Sequence, residues 1–140
     1  MLVEAYLNFD GRCEEALEFY KSAVGAVVTN LLRFTDCPDP LPPGMVPAGS
    51  ENKVMHCSFK IGQTTVMAAD CHCAGKPKFE GISLTISVDS EADADRIFNA
   101  LSAGGKVQMP LCKTFFSPRF GCVADKFGVS WMVIYMPTAK

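Results

Sequence analysis

Residues 9–25 read FDGRCEEALEFYKSAVG, and residues 88–104 read VDSEADADRIFNALSAG. Aligned without gaps, the two stretches place Asp10 on Asp89, Phe19 on Phe98 and Gly25 on Gly104. In each copy an alternating segment reaches an Asp turn, an amphipathic helix follows, and a Gly ends it. A repeat of a unit too small to bury its own core predicts two modules that pack together.

The segments that flank both helices predict strands. Residues 3–9 alternate between an apolar face and a more polar face, with Val3, Ala5, Leu7 and Phe9 on the first and Glu4, Tyr6 and Asn8 on the second. Further strand signals lie at 27–34, 53–61, 64–69, 82–88, 106–109, 120–126 and 129–135. We therefore predict an α+β fold of two paired βαβββ modules, whose curved mixed sheets surround a central chamber.

The predicted domain organisation is a single domain over 1–140, with one module at about 1–72 and the other at about 80–137. Only the first module carries a Pro-rich insertion, residues 36–50. Proline at this density can neither donate ladder hydrogen bonds nor continue a helix, so the insertion is a loop. A loop of this length is either a functional lid or a disordered segment.

Composition excludes several classes of function. Hydrophobic residues make up 49% of the 140 residues and charged residues 20%, which is typical of a globular protein. The net charge is −2 and there is no Lys/Arg run, which argues against nucleic acid or an anionic membrane as a partner. The first residues lack the basic start and apolar core of a signal peptide, so we expect a cytoplasmic protein. There the seven cysteines would remain thiols rather than form a disulfide framework.

Several local motifs occur in a characteristic order: Tyr6-Leu7-Asn8-Phe9-Asp10-Gly11, Cys13-Glu14-Glu15-Ala16, Phe19-Tyr20, Met55-His56, Ile61-Gly62, Met67 to Asp70, Phe120-Gly121, Asp125 to Val129, and Trp131. In this order and layout the chain resembles the vicinal oxygen chelate superfamily, which includes glyoxalase I and the bleomycin-resistance and fosfomycin-resistance proteins. It is most similar to the PhnB-like branch, some of whose members carry the name 3-demethylubiquinone-9 3-methyltransferase. The resemblance covers almost the whole chain.

The resemblance implies a test for a metal site. Metal-using members hold a divalent ion with His, Glu or Gln from the first and last strand of each module, and the ion stabilises an oxyanion of the substrate. The matching first-strand positions here are Glu4 and Ser83, and the last-strand positions are Val66 or Ala68, and Met132. Such a set does not suit a hard cation or zinc. We therefore predict no metal ligands and no cofactor, with a divalent ion as the alternative.

The name methyltransferase has no support in the residues. Methyl transfer from S-adenosylmethionine commonly uses a Gly-rich turn after a strand of a doubly wound sheet. The sequence contains no Gly-x-Gly-x-x-Gly, and Gly104-Gly105 simply ends the second helix.

The candidate site residues are those expected on the polar faces of the predicted strands. His56 lies on the more polar side of its strand, where it could be a general base, a donor that orients a ligand, or a hydrogen-bonded structural histidine. Trp131, Phe115, Phe116 and Tyr6 are either apolar walls for a ligand with a ring or parts of the core. The predicted ligand-binding set is Glu4, Tyr6, His56, Ser83 and Trp131, with His56 and Glu4 as catalytic candidates.

The segment Asp70-Cys71-His72-Cys73 concentrates metal-binding residue types. A thiolate and imidazole metal site or a redox pair is one interpretation. Cys-x-Cys is shorter than the usual zinc spacing, however, and no matching second pair occurs, which favours a surface connection between the modules.

Two functions remain at this point. The first is a binding protein that holds a small organic molecule in the chamber without the metal of the family. The second is a metal-assisted lyase, isomerase or dioxygenase that uses Glu4 and His56. The edges of such small modules are usually covered by a partner, so we also predict a homodimer.

Overall fold

The computed structural model describes residues 1–38, 48–70 and 77–137. The chain divides into two compact units, Met1–Pro77 and Lys78–Lys140. The boundary falls in the gap between the two predicted modules. Among the helices in the described ranges, none has the length and apolar character needed to span a membrane.

The first unit contains one four-stranded mixed sheet and one long helix. Its elements are β1 (Tyr6–Asn8), α1 (Cys13–Val24), β2 (Val27–Arg33), a 3-10 turn (Phe34–Asp36), β3 (Val54–Ile61) and β4 (Thr64–Ala69). The strand order is β1-β4-β3-β2. β1 runs parallel to β4, and the other neighbours are antiparallel.

The second unit repeats this arrangement. Its elements are β5 (Leu84–Val88), α2 (Glu91–Ser102), β6 (Lys106–Cys112), β7 (Arg119–Ala124) and β8 (Ser130–Tyr135). The strand order is β5-β8-β7-β6, with β5 parallel to β8. The prediction of two βαβββ modules in an α+β fold is therefore confirmed.

The repeat extends to an irregularity of the sheets. β2 has a register shift between Val28 and Asn30, and β6 has one between Val107 and Met109. The ungapped alignment that matches the two helix segments also places these two shifts on each other. The duplication is therefore visible in the backbone of the outer strands as well as in the order of the elements.

The helices themselves depart slightly from that alignment. α1 begins at Cys13, which the ungapped alignment places on Ala92. α2 begins one residue earlier than that, at Glu91. The predicted match of Phe19 with Phe98 is therefore wrong by one residue. Phe98 is buried, as is Tyr20, whereas Phe19 is only half-buried.

α1 packs on one face of the first sheet through aromatic and sulfur contacts. The Tyr20 ring stacks on Phe59 of β3, with centroids 6.1 Å apart, and lies the same distance from Phe9. The Sγ atoms of Cys13 and Cys57 are 3.7 Å apart. The hydrogen bond to Cys57 and burial both raise the pKa of the Cys13 thiol, so it stays protonated. The five cysteines in the described ranges are free thiols.

The second unit uses a small residue where the first uses a thiol. Gly121 of β7 pairs with Val133, as Cys57 of β3 pairs with Ala68. A Cβ atom on Gly121 would lie 2.8 Å from Cε2 of Phe98, so only glycine leaves room for this ring of α2. Nearby, Trp131 is buried on β8, and its indole N–H donates to Asp125 Oδ2 over 2.8 Å.

The two helices begin in different ways. α1 has no local side-chain cap. Instead, Oδ1 of the buried Asp70 accepts the backbone N–H groups of Gly11 and Cys13, each at 2.8 Å, and Oδ2 accepts that of Val54 at 2.8 Å. α2 is capped locally, because the Ser90 hydroxyl accepts the N–H of Asp93 at 3.1 Å.

One predicted boundary changes, and one predicted segment is described only in part. The first strand is shorter than residues 3–9, because Val3 is 95% exposed and Glu4 precedes β1. Of the Pro-rich insertion, residues 39–47 lie outside the described residues.

Candidate functional site

The face of the first sheet opposite α1 carries a row of polar side chains. Cross-strand partners share a face, and the register pairs Asn30 of β2 with Ser58 of β3, Ser58 with Met67 of β4, and Met67 with Tyr6 of β1. We call this the polar face. Because side chains alternate along a strand, His56 and Lys60 of β3 belong to it as well.

Tyr6 and His56 are in contact on the polar face. The Tyr6 hydroxyl lies 3.3 Å from Nδ1 of His56, and the two ring centroids are 5.7 Å apart at a tilt of 37°. Tyr6 is 52% exposed and His56 is half-buried. If Tyr6 donates to Nδ1, the imidazole carries its proton on Nε2, and that nitrogen is then a donor for a ligand. In the other tautomer Nε2 is an acceptor.

Glu4 and Ser83 lie just outside the strands that the prediction assigned to them. Glu4 precedes β1 by two residues, Ser83 directly precedes β5, and both are exposed. The residues that pair with the last strands are instead Tyr6, opposite Met67, and Thr85, opposite Met132. The ungapped alignment of the repeat also places Tyr6 on Thr85, so these two are the equivalent first-strand positions.

The predicted last-strand position of the first unit is wrong. Val66 and Ala68 are both buried, and they pair with Phe59 and Cys57, which contact α1. Met67 lies between them on the polar face. The sequence contained the signal, because the two-residue turn at Gly62-Gln63 fixes which residues of β3 and β4 are opposite each other. Met132, in contrast, lies on the face of the second sheet opposite α2.

The donor atoms do not suit the divalent ion that the resemblance implies. The equivalent positions carry a phenol and a thioether in the first unit, and a hydroxyl and a thioether in the second. Magnesium, calcium and manganese prefer carboxylates and other oxygen ligands, and zinc prefers thiolate, imidazole and carboxylate. In the part of the chain that the structure describes, no three His, Cys, Asp or Glu side chains are grouped as a metal site requires.

The second sheet has a face of different chemistry on the side opposite α2. Its central row runs from Met109 of β6 to Cys122 of β7, Met132 of β8 and Thr85 of β5. The next row pairs Cys112 with Phe120 and Phe120 with Ile134. Apart from Thr85, these side chains are half-buried and apolar or sulfur-containing. We call this the sulfur face.

The aromatic candidates occupy three kinds of place. Trp131 is 2% exposed in the core of the second unit, so it is not available as a ligand contact in this structure, and we omit it from the proposed site. Phe115 is fully exposed, and Phe116 is exposed and contacts Phe120 edge to face at 5.0 Å. Tyr6 alone of the four lies on the polar face.

Asp70 has a structural position. Three backbone N–H groups occupy its two carboxylate oxygens, and its side chain is almost completely buried, so it is neither a surface residue nor an available metal ligand. Cys71, His72 and Cys73 lie outside the described residues, and the metal, redox and connector interpretations of this segment stay predictions.

The fold and these motifs match a known family. The sequence profile of the family described as 3-demethylubiquinone-9 3-methyltransferase matches residues 2–134. The chain belongs to this family. Protein YjdN from Escherichia coli K12 is 30% identical over 140 residues, which cover 95% of this chain and 94% of that protein.

Solved structures agree with this assignment. Protein PA1353 from Pseudomonas aeruginosa is 39% identical, with a TM-score of 0.84 and 99% of each chain covered. A structure from Bacillus cereus described as a putative 3-demethylubiquinone-9 3-methyltransferase, PhnB protein, is 29% identical, with a TM-score of 0.79 over 97% of this chain and 100% of the other.

A more distant structure supports the fold alone. The glyoxylase/bleomycin resistance protein/dioxygenase domain from Frankia sp. EAN1pec is 13% identical, with a TM-score of 0.62 over 95% of this chain and 93% of the other. The predicted PhnB-like branch is thus confirmed by the family profile and the Bacillus cereus structure, and the predicted glyoxalase/bleomycin-resistance fold by the Frankia domain.

Proposed function

We propose that this PhnB-like protein binds a small organic molecule, with Tyr6 and His56 on the polar face as its principal polar contacts. The observation that supports this most is the Tyr6–His56 contact itself, since two aromatic side chains with hydrogen-bonding atoms are held together on the sheet face opposite α1. Such a pair offers both stacking surface and a donor or acceptor, which suits a ligand with a ring and a polar substituent.

The neighbouring side chains support the same proposal. Asn30 and Ser58 add amide and hydroxyl groups in the central row, and Met67 adds an adaptable apolar surface between them and Tyr6. Glu4 and Ser83 remain proposed additional contacts on exposed segments before β1 and β5. The proposed binding does not depend on the divalent ion of the family, because the donor set described above does not suit one.

A thermal-shift screen of metabolites and antibiotics, followed by calorimetric titration of the hits, tests the proposal. His56→Ala should weaken binding of a hit by about tenfold and Tyr6→Phe by about threefold to tenfold, as expected for one lost hydrogen bond of about 1 kcal/mol. Ser22→Ala is a matched control, because Ser22 is exposed on α1, on the other side of the same sheet. Hits that bind wild type and both site variants equally would contradict the proposed site.

A second candidate is an enzyme, and the Tyr6–His56 contact also favours it, because a hydroxyl that touches an imidazole can set its tautomer for proton transfer. In this alternative a metal-assisted lyase, isomerase or dioxygenase uses His56 and Glu4. Metal analysis distinguishes the two. Stoichiometric zinc, nickel, manganese or iron that is lost in Glu4→Ala or His56→Ala would favour the enzyme. Absence of metal and of turnover with 2-oxoaldehydes, catechols and epoxides would favour the binding protein.

We also propose that the protein is a cytoplasmic homodimer. The outer strands β2 and β6 carry several exposed residues along their edges, and such edges are normally protected by a partner or by charge. Light scattering behind a size-exclusion column gives the mass in solution. A single species with the 15.2 kDa mass of one chain would contradict the dimer.

A further inference from the structure

The sulfur face brings three sulfur-containing side chains into one row. Met109, Cys122 and Met132 are direct cross-strand partners on three neighbouring strands, β6, β7 and β8. Partners in adjacent antiparallel strands have Cβ atoms about 4.5–5.5 Å apart on the same face. All three side chains are half-buried, so each retains access to solvent.

The chemistry of this row differs from that of the divalent sites considered above. Thiol and thioether sulfurs are soft donors, which select monovalent copper and similar ions over magnesium, calcium or manganese. Methionine is unbranched and flexible at three bonds, so two thioethers on either side of a central thiol can turn towards one ion.

We propose that Met109, Cys122 and Met132 form a binding site for a soft monovalent metal ion, Cu(I) or Ag(I). Cys122 supplies the anionic ligand and the two methionines complete a three-sulfur set. This site lies on the second unit and does not depend on the proposed ligand site around Tyr6 and His56.

Binding at this row releases a proton. Burial raises the pKa of the Cys122 thiol above its ordinary value of 9.0, so the side chain is a neutral thiol at pH 7. When the ion binds, the S–H bond breaks, a sulfur–metal bond forms and the proton passes to solvent, with no change of oxidation state.

The first unit contains a built-in control. Its equivalent row is Asn30, Ser58 and Met67, so the thioether of Met67 occupies the place of Met132 but has a hydroxyl and an amide beside it instead of a thiol and a second thioether. Met67 should not hold a soft ion. Cys112 provides a second control, because it is half-buried on the same face but pairs with Phe120 in the next row.

The test is a titration of the full chain with silver nitrate in chloride-free buffer, followed by NMR of the protein labelled with ¹³C at its methionine methyl groups. The chain has seven methionines, and Met67→Leu, Met109→Leu and Met132→Leu assign the three signals of interest. We expect the Met109 and Met132 signals to shift as silver is added and the Met67 signal to stay in place. Cys122→Ser should abolish both shifts, and Cys112→Ser should retain them.

Other thiols in the chain can also take up silver, and Cys122→Ser and Cys112→Ser show which methionine shifts depend on the row itself. The fluorescence of the single tryptophan, Trp131, shows whether Cys122→Ser keeps the second unit folded. If that variant unfolds, Met132→Leu provides the test, since the remaining Met109 signal should then shift only at higher silver concentration. Signals of Met109 and Met132 that stay still, or that move equally in Cys122→Ser, would overturn the proposal and leave the row as apolar surface.

Discussion

The two units share strand order, helix position and sheet irregularity, yet each places its buried carboxylate differently. In the first unit Asp70 follows β4 and accepts three backbone N–H groups, two of them at the entry to α1. In the second unit Asp125 follows β7 and accepts the N–H groups of Phe127 and Val129 together with the indole N–H of Trp131. A buried carboxylate therefore stabilises the start of a helix in the first unit and a hairpin turn in the second.

This difference shows that two copies of the same backbone arrangement can be stabilised by buried carboxylates at different places. The second unit has no need of a remote carboxylate at its helix, because Ser90 caps α2 from within the chain that enters it. The first unit has no local cap on α1. Each buried carboxylate should therefore stabilise only the unit that contains it, and substitutions can test this.

The largest effect is expected for Asp70→Ala. Removal of the carboxylate leaves three N–H groups without their acceptor, two of them at buried positions, which should lower the free energy of unfolding by about 3–5 kcal/mol. Urea unfolding followed by far-ultraviolet circular dichroism measures the loss. Asp70→Asn keeps one oxygen and should lose less. A loss below about 1 kcal/mol in Asp70→Ala would show that water replaces the carboxylate at little cost.

A somewhat smaller effect is expected for Asp125→Ala. The turn amides of Phe127 and Val129 lose their acceptor, and the indole of Trp131 loses its hydrogen bond, for a cost of about 2–4 kcal/mol. Because Trp131 is the single tryptophan, its emission spectrum should shift in this variant and stay unchanged in a folded Asp70→Asn protein. Equal spectral changes in the two variants would contradict the view that each buried carboxylate stabilises only its own unit.

The local cap should contribute less than either carboxylate. Ser90→Ala removes the bond to the Asp93 amide, and such substitutions typically cost about 1 kcal/mol. The comparison between Ser90→Ala and Asp70→Ala in the same unfolding experiment measures how much a remote anchor adds over a local one. The expected ranking fails if Ser90→Ala proves the more destabilising of the two.

The smallest effect concerns an ion pair at the first turn of α1. Arg33 donates to both carboxylate oxygens of Glu14, at 2.7 and 3.0 Å, and these hydrogen bonds hold the pKa of Glu14 below its ordinary 4.5. The pair is largely exposed, so Glu14→Gln should cost no more than about 0.5 kcal/mol at pH 7.

The sign of the pH dependence of the Arg33–Glu14 ion pair follows from the lowered pKa of Glu14. The contribution is present above the ordinary pKa of Glu14 and is lost as the pH falls through the lowered value, so wild type and Glu14→Gln should converge in stability below that lowered pKa. Glu18→Gln, in a more exposed pair with Lys21, is the control. A gap between wild type and Glu14→Gln that widens on acidification would contradict this account.

Local patterns predicted most of the fold. The alternation of Leu7 and Phe9 with Tyr6 and Asn8 correctly separates buried from exposed positions in and just after β1. Gly25 and Gly104 both adopt positive φ, as the predicted helix ends require. These features depend on neighbours in sequence, which is why the sequence shows them.

The wrong predictions concern residues whose structural partners cannot be identified from the sequence. The sequence favours a surface connection for the segment that begins at Asp70, because the partners of this buried carboxylate, Gly11 and Cys13, are 59 and 57 residues away. Trp131 is predicted as a ligand contact because the sequence shows neither its burial nor its hydrogen bond to Asp125. The candidate contact of Tyr6 with His56 likewise joins residues 50 apart, and the sequence could indicate the face of each but not their contact.

The anchor at Asp70 also has a consequence for the order of events during folding. The Ser90 hydroxyl binds the amide of Asp93, only three residues away. α2 can therefore nucleate from residues of its own segment alone. α1 obtains its acceptor only after the chain has closed the long loop between Cys13 and Asp70 and placed β4 beside β1. Since long loops close late, we expect the entry of α1 to be unformed in the folding transition state, and Asp70→Asn to accelerate unfolding rather than to slow folding.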